Sequence, residues 1–438
     1  MNPSCRNSSL LLALGTVVGI HFSTIVGLSN IQSHLFQYSD LYPESKDGLL
    51  ETRSTDFEVS DERDSHPAHF QTKAKVVKAR ENPHQHHPRI ELSDLEGLQP
   101  RAFPAWPSNI SLPCVEPEDQ WLTNKVQTLP SRTGFLFVKN YKVGGSTAAG
   151  VQLRLARNVA KRLFPHLKAQ FCKSRHDHSS PSNVREQEYP NRIRGKSFLW
   201  TMVREPTQRA ISNFFHFQVS REKKQPTDRY FQSVLEGDPM YRHHYLRYGS
   251  MRSLGLEWGK EDFDVVWAVN RYLLDYDFIA VSDRMDESIV ALQLLLGLTT
   301  GDVLFLNAKN QGGYDDGSVM YGCVYIVPSF VSPGMNDYFE NSPIWKRHSR
   351  SDTLLYVAAN RSLDLTIEET IGIETFQNAL RKFRHAQQVV RDRCLHNATF
   401  PCSSAGEKQT GTDCLAADFG CGTPCIDQVA DELDLYSQ

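Results

Sequence analysis

Short apolar runs alternate with longer amphipathic segments from Gly134 onward, and this alternation constrains the fold more than any other feature. Residues 135–138, 198–203 and 278–281 have the composition of buried strands. Segments with a helical spacing of apolar residues follow them, at 147–163, from Pro206, and at 286–296 before Gly297. The pattern predicts an α/β domain with a parallel central sheet. Farther on, the order Thr366, Ile367, Glu368, Glu369 predicts a capping box that opens a basic helix toward Cys394.

Residues 10–28 form a run without a charged side chain, about as long as a helix that crosses a bilayer. Arg6 precedes this run and the next basic residue is Lys46, so the positive-inside rule predicts a cytosolic N-terminus. We therefore expect a single-pass type II membrane protein. A cleaved signal peptide is the alternative, but the run exceeds the usual apolar core and no A-x-A site follows it.

Composition divides the chain into five parts. Residues 1–9 are a cytosolic tail and residues 10–28 are the signal anchor. Residues 29–130 are polar and rich in His, Pro, Glu and Ser, which is typical of a stem. Residues 131–394 carry the α/β pattern, and residues 395–438 are a Cys-rich extension that we expect to be an irregular, disulfide-stapled appendage.

The charge balance is uneven along the chain. The whole sequence has 48 basic and 51 acidic residues, so its total charge gives no reason to expect a nucleic-acid partner. Between Lys139 and Lys224, however, there are 18 Lys and Arg against 5 Asp and Glu. This excess predicts a polyanionic ligand in that segment.

The cysteines fit an oxidising compartment. Of the nine, only Cys5 precedes the apolar run, and the other eight are an even set with five members after residue 393. Such a set predicts up to four disulfides whose pairing stays open, and a zinc site is the alternative. Three N-x-S/T triplets, at Asn109, Asn360 and Asn397, would be acceptors for N-glycosylation in the lumen.

The loop after the first predicted strand carries the sharpest chemistry. It reads Lys139, Asn140, Tyr141, Lys142, Val143, Gly144, Gly145, Ser146, Thr147. Small residues let backbone N–H groups and the following helix N-terminus converge on an anion, and Lys142 adds a full charge. Because Lys142 precedes both glycines, the Walker pattern of nucleotide kinases is not met. A phosphate or sulfate is the expected ligand.

A second motif follows the next predicted strand. Arg204 stands at the strand end, Pro206 opens a helix, and Ser212 comes eight residues after the arginine. Arg204 can bind a phosphate in fork geometry, while Ser212 donates a hydroxyl from about two turns along the helix. An ion pair with a neighbouring carboxylate is the structural alternative for Arg204.

These two motifs resemble those of sulfotransferases that use 3′-phosphoadenylyl sulfate (PAPS): the loop resembles their 5′-phosphosulfate loop, and Arg204 with Ser212 resembles their 3′-phosphate motif. Residues 277–304 and 352–360 are similar to segments of the Golgi galactose 3-O-sulfotransferases, with Asp352 as a possible helix cap. The resemblance covers about residues 134–394, and Tyr141 departs from the His or Pro common in that family.

The resemblance implies a P-loop-like three-layer sulfotransferase domain on a Golgi membrane, PAPS as co-substrate, no required metal, and a glycan acceptor with the galactose 3-hydroxyl as family-level site. It implies these nucleotide-binding residues: Lys142, Val143, Gly144, Gly145, Ser146, Thr147, Arg204 and Ser212.

If this reaction is catalysed, a general base must accept the proton of the acceptor hydroxyl. The favoured candidates are His178 and then His176, which lie between the two motifs in a stretch where the family also places a His. The other candidates are His216, His243, His244 or a carboxylate. Lys142 would be the second catalytic group because it stabilises charge on the leaving phosphate.

Two other classes of protein stay open. Asp275, Tyr276 and Asp277 formally match the D-x-D triplet that holds a metal and a nucleotide-sugar in Golgi glycosyltransferases. A non-catalytic glycan-binding protein is the third interpretation, although such a protein has no need of two phosphate loops. The sequence leaves the oligomeric state open.

Overall fold

The computed structural model describes residues 95–114, 117–119, 133–166, 170–172, 174–178, 192–237, 264–308, 311–315 and 322–437. The predicted anchor at 10–28 and most of the predicted stem lie outside these residues. Within the described ranges, no helix is both long and apolar enough to cross a membrane.

The described residues form a mixed α/β domain around a four-stranded parallel sheet. The strands are β1 Pro117–Asp119, β2 Gly134–Lys139, β3 Gln170–Cys172, β4 Ser174–His178, β5 Ser197–Val203 and β6 Phe278–Val281. The sheet order is β4-β2-β5-β6, and β1 pairs with β3 in a separate antiparallel ladder. Every residue of β2 and β5 is buried, as expected for central strands of a parallel sheet.

The helices are α1 Gly145–Leu163, α2 Pro206–Phe214, α3 Asp228–Gly237, α4 Val265–Asp275, α5 Met285–Leu295, α6 Thr300–Val303, α7 Pro333–Asn341, α8 Pro343–Leu365, α9 Ile373–Cys394 and α10 Thr423–Glu432. They form two groups that both contact the sheet. In one group α1, α5, α6, α9 and α10 pack on one another, and in the other α4 packs on α8. Two helices continue into π-helical turns, α2 at Phe215–Arg221 and α8 at Thr366–Ile371.

The predicted strands and the helices after them are confirmed. In α1, Val151, Leu155 and Val159 face the core as the spacing predicts, whereas Leu163 at the C-terminal end is 46% exposed. Gln152 of α1 accepts a hydrogen bond from Trp200 Nε1 at 2.7 Å and donates to the Phe135 carbonyl at 3.3 Å, which fixes the helix across β2 and β5.

Two predicted helix starts are wrong. Thr366 follows α8 as its C-cap, and α9 begins only after Gly372, whose φ of 88° breaks the helix. The Thr366 hydroxyl donates to the Ser362 carbonyl at 2.6 Å and accepts from Phe103 N at 2.8 Å, so it is not free to cap. Asp352 lies in the middle of α8, whose cap is Ser342, and it pairs with Arg209.

The eight cysteines after the apolar run form four disulfides, as the even count predicts. The pairs are Cys114–Cys172, Cys323–Cys402, Cys394–Cys425 and Cys414–Cys421.

The Cys-rich segment after Cys394 belongs to the same core as the sheet and is not an irregular appendage. Ile426, Val429 and Ala430 of α10 are buried in that core. Arg154 of α1, 1% exposed, pairs with Asp427 of α10 at 2.7 Å.

Candidate functional site

The site lies where the chain reverses its direction of travel through the sheet. From β2 the chain passes through α1 to β4 on one side, whereas from β5 it passes to β6 on the other side. In open α/β sheets, ligands bind outside the carboxyl ends of the strands at such a switch point. The residues that follow β2 and β5 are the glycine-rich loop and Arg204 respectively, so both predicted motifs meet at this edge.

Hydrogen bonds hold the start of the glycine-rich loop against β5. Asn140, only 2% exposed, donates from Nδ2 to Thr201 Oγ1 and to the Met202 carbonyl, both at 3.0 Å. The Thr201 hydroxyl in turn donates to the Val138 carbonyl at 2.8 Å. The loop therefore leaves the sheet in a fixed direction.

The middle of the loop uses left-handed backbone at two positions. Lys142 has φ of 58° and Gly144 has φ of 81°, and Val143 between them is fully buried. A Cβ on Gly144 would lie 3.0 Å from Met285 Cε and 3.5 Å from Ser282 Oγ. Gly144 is thus required both for its dihedral angles and for the close approach of the segment after β6.

The N-terminus of α1 is suited to an anion, and that of α2 is not. Gly144 caps α1 without a side chain, and the first turn carries no acidic residue. Its first N–H groups point out of the helix together with the positive end of the helix dipole. At α2 the Glu205 carboxylate already accepts from Thr207 N at 3.0 Å and from Gln208 N at 2.8 Å.

Arg204 brings the second motif to the first. Its Nη1 donates to the carbonyl of Lys142 at 3.4 Å, and its Nε lies 4.0 Å from Asp283 Oδ1. The Arg204 side chain is 25% exposed, which leaves it accessible to a ligand. The structure therefore brings Arg204 to the backbone of the loop that carries Lys142.

Ser212 and Thr147 complete the predicted set with different surroundings. Ser212 lies on α2 and is half-buried. Thr147 of α1 is 6% exposed, and its hydroxyl accepts a hydrogen bond from Ala308 N at 3.1 Å, so it helps to fix α1 against the segment after α6.

The two favoured histidines lie on β4, the edge strand beside β2. His176 pairs in register with Phe137, and His178 pairs with Lys139 at the carboxyl end where the loop begins. Along β4, His178 is therefore nearer than His176 to the carboxyl ends of the strands, where the site lies. The side chains of both, and all of His243 and His244, lie outside the described part.

His216 is buried away from solvent. It is 5% exposed, and its Nε2 lies 3.5 Å from Asp315 Oδ2, which also accepts from Arg221 at 2.6 Å. An imidazole enclosed by this ion pair is poorly placed to meet an acceptor sugar.

Carboxylates of the second half of the chain pair with several described arginines of residues 139–224, and the polyanionic ligand of this segment stays a prediction. Most of the described arginines of residues 139–224 pair with acidic residues of the second half of the chain. Arg204 lies beside the glycine-rich loop, at the carboxyl ends of the strands. The pairs are Arg154 with Asp427, Arg162 with Asp302, Arg192 with Asp277, Arg209 with Asp352, and Arg221 with Asp315.

Sequence reasoning missed Asp283, whose Oδ1 lies 4.0 Å from Arg204 Nε, and Tyr356 of α8. Asp283 Oδ2 accepts from Glu205 N at 3.0 Å, and Tyr356 is 7% exposed. Burial, followed by the negative charges of Asp283 and Glu205, raises the pKa of Tyr356. The only signal in the sequence was the position of Asp283 two residues after a predicted strand, because the carboxyl ends of the strands face the site.

Sequence reasoning also missed Phe419, a residue of the Cys-rich segment. The Lys139 ammonium lies 4.1 Å from the centre of the Phe419 ring, and Lys139 is 7% exposed. A Cβ on Gly150 of α1 would lie 2.6 Å from Gly420 N, so the backbone of this segment packs directly on α1. The loop closed by Cys414 and Cys421 thus supports the strand and helix that carry the glycine-rich loop.

The D-x-D triplet directly precedes β6 and so lies at the opposite end of the strands from the glycine-rich loop. Asp277 accepts from Leu199 N at 2.7 Å and pairs with Arg192 at 2.9 Å. Asp275 pairs with Arg271 at 3.2 Å, and Tyr276 between them is 2% exposed. Both carboxylates therefore serve local structure.

Comparisons with protein-family models, with curated proteins and with solved structures find no match.

Proposed function

We propose that the protein is a carbohydrate sulfotransferase that transfers a sulfuryl group from PAPS to a glycan hydroxyl. The observation that carries the proposal is the 3.4 Å contact of Arg204 Nη1 with the Lys142 carbonyl at the switch point of the sheet. A donor with phosphate groups at its 3′ and 5′ positions needs two cationic positions at one site. The parallel sheet with two groups of helices supports a three-layer, P-loop-like sulfotransferase domain.

The residues at the edge fit such a donor. The N-terminus of α1, which no side chain caps, offers the backbone N–H groups of the buried Val143 and of Gly144, Gly145 and Ser146 to the 5′ side. Arg204 and the half-buried Ser212 offer a guanidinium and a hydroxyl to the 3′-phosphate.

The proposed reaction is an in-line displacement at sulfur. The donor supplies the sulfuryl group, and its 5′-phosphate leaves as the acceptor oxygen forms a bond to sulfur. Lys142, held in left-handed backbone, stabilises the charge that develops on the leaving phosphate. A base takes the proton of the acceptor hydroxyl, and His178 is favoured over His176 because its backbone lies beside Lys139 at the active edge. A required metal forms no part of this proposal.

The compartment and the acceptor follow from the same proposal. Four disulfides support exposure to an oxidising lumen, where residues 10–28 would anchor a type II Golgi protein. The acceptor would be a glycan of a glycolipid, glycoprotein or polysaccharide, with the galactose 3-hydroxyl as the first candidate.

The second candidate, a metal-dependent glycosyltransferase, has less support. It relies on Asp275 and Asp277, whose carboxylates are held by Arg271, Arg192 and a backbone N–H at the edge away from the glycine-rich loop.

A transfer assay separates the two activities. The full chain is incubated with sulfur-35-labelled PAPS and glycans that end in galactose, with EDTA present, and labelled glycan is measured. We expect labelled product, and we expect its loss in Lys142→Ala. In a parallel reaction with nucleotide-sugars and manganese, sugar transfer that is lost in Asp277→Asn would instead support the glycosyltransferase.

A further inference from the structure

One carboxylate connects Arg204 to three elements of the fold. Asp283 lies in the 3₁₀ turn Ser282–Arg284 directly after β6. Its Oδ2 accepts from Glu205 N at 3.0 Å, which ties it to the cap of α2. The charge of Asp283 also helps to raise the pKa of Tyr356 of α8, and Asp283 Oδ1 faces Arg204 Nε at 4.0 Å.

The turn that carries Asp283 is itself fixed. The next residue, Arg284, donates to Asn360 and Asp364 of α8, each at 2.7 Å, and pairs with Glu287 of α5 at 2.5 Å. On the other side, Ser282 Oγ would lie 3.5 Å from a Cβ on Gly144. Asp283 is therefore held in a constant position relative to the glycine-rich loop.

Asp283 is close enough to Arg204 to orient its guanidinium, but not close enough to neutralise it in a short ion pair. A charge-assisted hydrogen bond from Arg to a carboxylate is usually about 2.7–2.9 Å long. Arg192 and Asp277 meet that length at 2.9 Å, whereas Arg204 and Asp283 are 4.0 Å apart and each is 25% exposed. A phosphate that offers two oxygens can therefore bind Arg204 without displacing Asp283 from a short contact.

We propose that Asp283 is a positioning residue that holds Arg204 toward the 3′-phosphate, and thereby sets the preference of the site for a 3′-phosphorylated nucleotide. This inference rests on the proposed function. An arginine side chain loses substantial rotamer entropy when it becomes ordered. A carboxylate that orders the side chain before the ligand binds removes part of that cost from binding.

The sign of the effect is open to test because a carboxylate beside a phosphate site can also repel the ligand. If repulsion dominated, removal of the Asp283 charge would strengthen binding of the bisphosphate. If orientation dominates, removal of the charge weakens binding of the bisphosphate and leaves a ligand without a 3′-phosphate unaffected.

The experiment measures the Kd of the full chain for adenosine 3′,5′-bisphosphate and for adenosine 5′-monophosphate by calorimetry. The variants are Asp283→Asn, Arg204→Ala and the control Asp286→Asn. Asp286 lies on the first turn of α5, and its partly exposed carboxylate is 3.5 Å from Arg384 of α9. We expect Asp283→Asn to raise the Kd of the bisphosphate by more than twofold and up to about tenfold, and that of the monophosphate by less than twofold. Neither Kd should change in the control Asp286→Asn.

The results separate this inference from the function on which it depends. If Arg204→Ala keeps the preference for bisphosphate, the assignment of the 3′-phosphate to Arg204 fails. If Arg204→Ala loses the preference while Asp283→Asn keeps it, binds tighter, or weakens both ligands equally, the positioning role is overturned. Should Asp283→Asn fail to fold, Tyr356→Phe removes the hydroxyl whose pKa Asp283 raises and must weaken bisphosphate binding selectively; an unchanged ratio of the two Kd values then refutes the role.

Discussion

At the scale of single residues, Gly144 carries the strictest requirement of the site. Its φ of 81° lies in the left-handed region, and a Cβ there would lie 3.0 Å from Met285 Cε. The motif order in the sequence was enough to select this glycine as part of an anion loop. Its second role, as the contact point for the segment after β6, depends on residues about 140 positions later and could not be predicted.

We predict that Gly144→Ala lowers the free energy of unfolding by about 1–2 kcal/mol, the usual cost of left-handed backbone with a Cβ. It should also weaken bisphosphate binding because the added Cβ pushes the loop away from the segment after β6. Urea unfolding and calorimetry measure both effects. The matched control is Gly195→Ala in the turn Arg194–Lys196, where a Cβ would meet nothing within 4 Å. Equal stability of the two variants would contradict the assigned role of Gly144.

At the scale of elements, the contact of α1 with α10 shows why the C-terminal segment was misjudged. The short spacing of cysteines suggested an irregular staple, but the apolar residues Ile426, Val429 and Ala430 complete the main core. Similarly, the Thr366 pattern has the composition of a helix start, yet its hydroxyl binds Phe103 N from 263 positions earlier. Tertiary partners of this kind override local signals, whereas the strands and the helices that follow them were predictable from periodicity alone.

The α1–α10 contact should make stability depend on acid. Burial by itself would raise the pKa of Asp427, but the hydrogen bond from Arg157 and the charges of Arg154, Arg157 and Lys161 outweigh it and lower the pKa to about 2. A carboxyl with a depressed folded pKa stabilises the protein above its unfolded pKa, and this contribution is lost as pH falls through the folded value.

We predict that Asp427→Asn lowers the free energy of unfolding at pH 7 by an amount on the order of 1 kcal/mol, after allowance for solvent screening. The difference from wild type should shrink as the pH falls from about 4 toward 2, the window between the two pKa values. Urea unfolding at a series of pH values measures this. Asp431→Asn, on the exposed side of the same helix, serves as control, and a difference that persists unchanged at pH 2 would refute the assignment.

At the scale of the whole molecule, ion pairs connect described arginines of residues 139–224 to carboxylates of the second half of the chain. The basic excess of this segment predicts a polyanionic ligand, but a sequence does not reveal that Asp302, Asp315 and Asp427 pair with its arginines. The two phosphate motifs were predictable because each follows its own apolar strand. Their meeting at one edge required the strand order, which the sequence leaves open.

Folding also distinguishes the three glycosylation triplets. Asn109 lies in an exposed turn and Asn397 is exposed after α9, whereas Asn360 is half-buried within α8 and accepts from Arg284 at 2.7 Å. We predict glycans at Asn109 and Asn397 and none at Asn360 when the chain is produced in a secretory host. Gel shifts after glycosidase treatment of the single Asn→Gln variants test this, and a shift lost only in Asn360→Gln would contradict it.

The most direct test of the central claim is calorimetric titration of the full chain, purified in detergent, with adenosine 3′,5′-bisphosphate in the presence of EDTA. We expect one ligand per chain, bound in the micromolar range, and a loss of affinity of about tenfold to a hundredfold in Arg204→Ala, which removes charge-assisted hydrogen bonds to the 3′-phosphate. The exposed Arg194→Ala, at the other edge of the sheet, should bind as wild type does. Absence of binding, or binding that is indifferent to Arg204, would contradict the account.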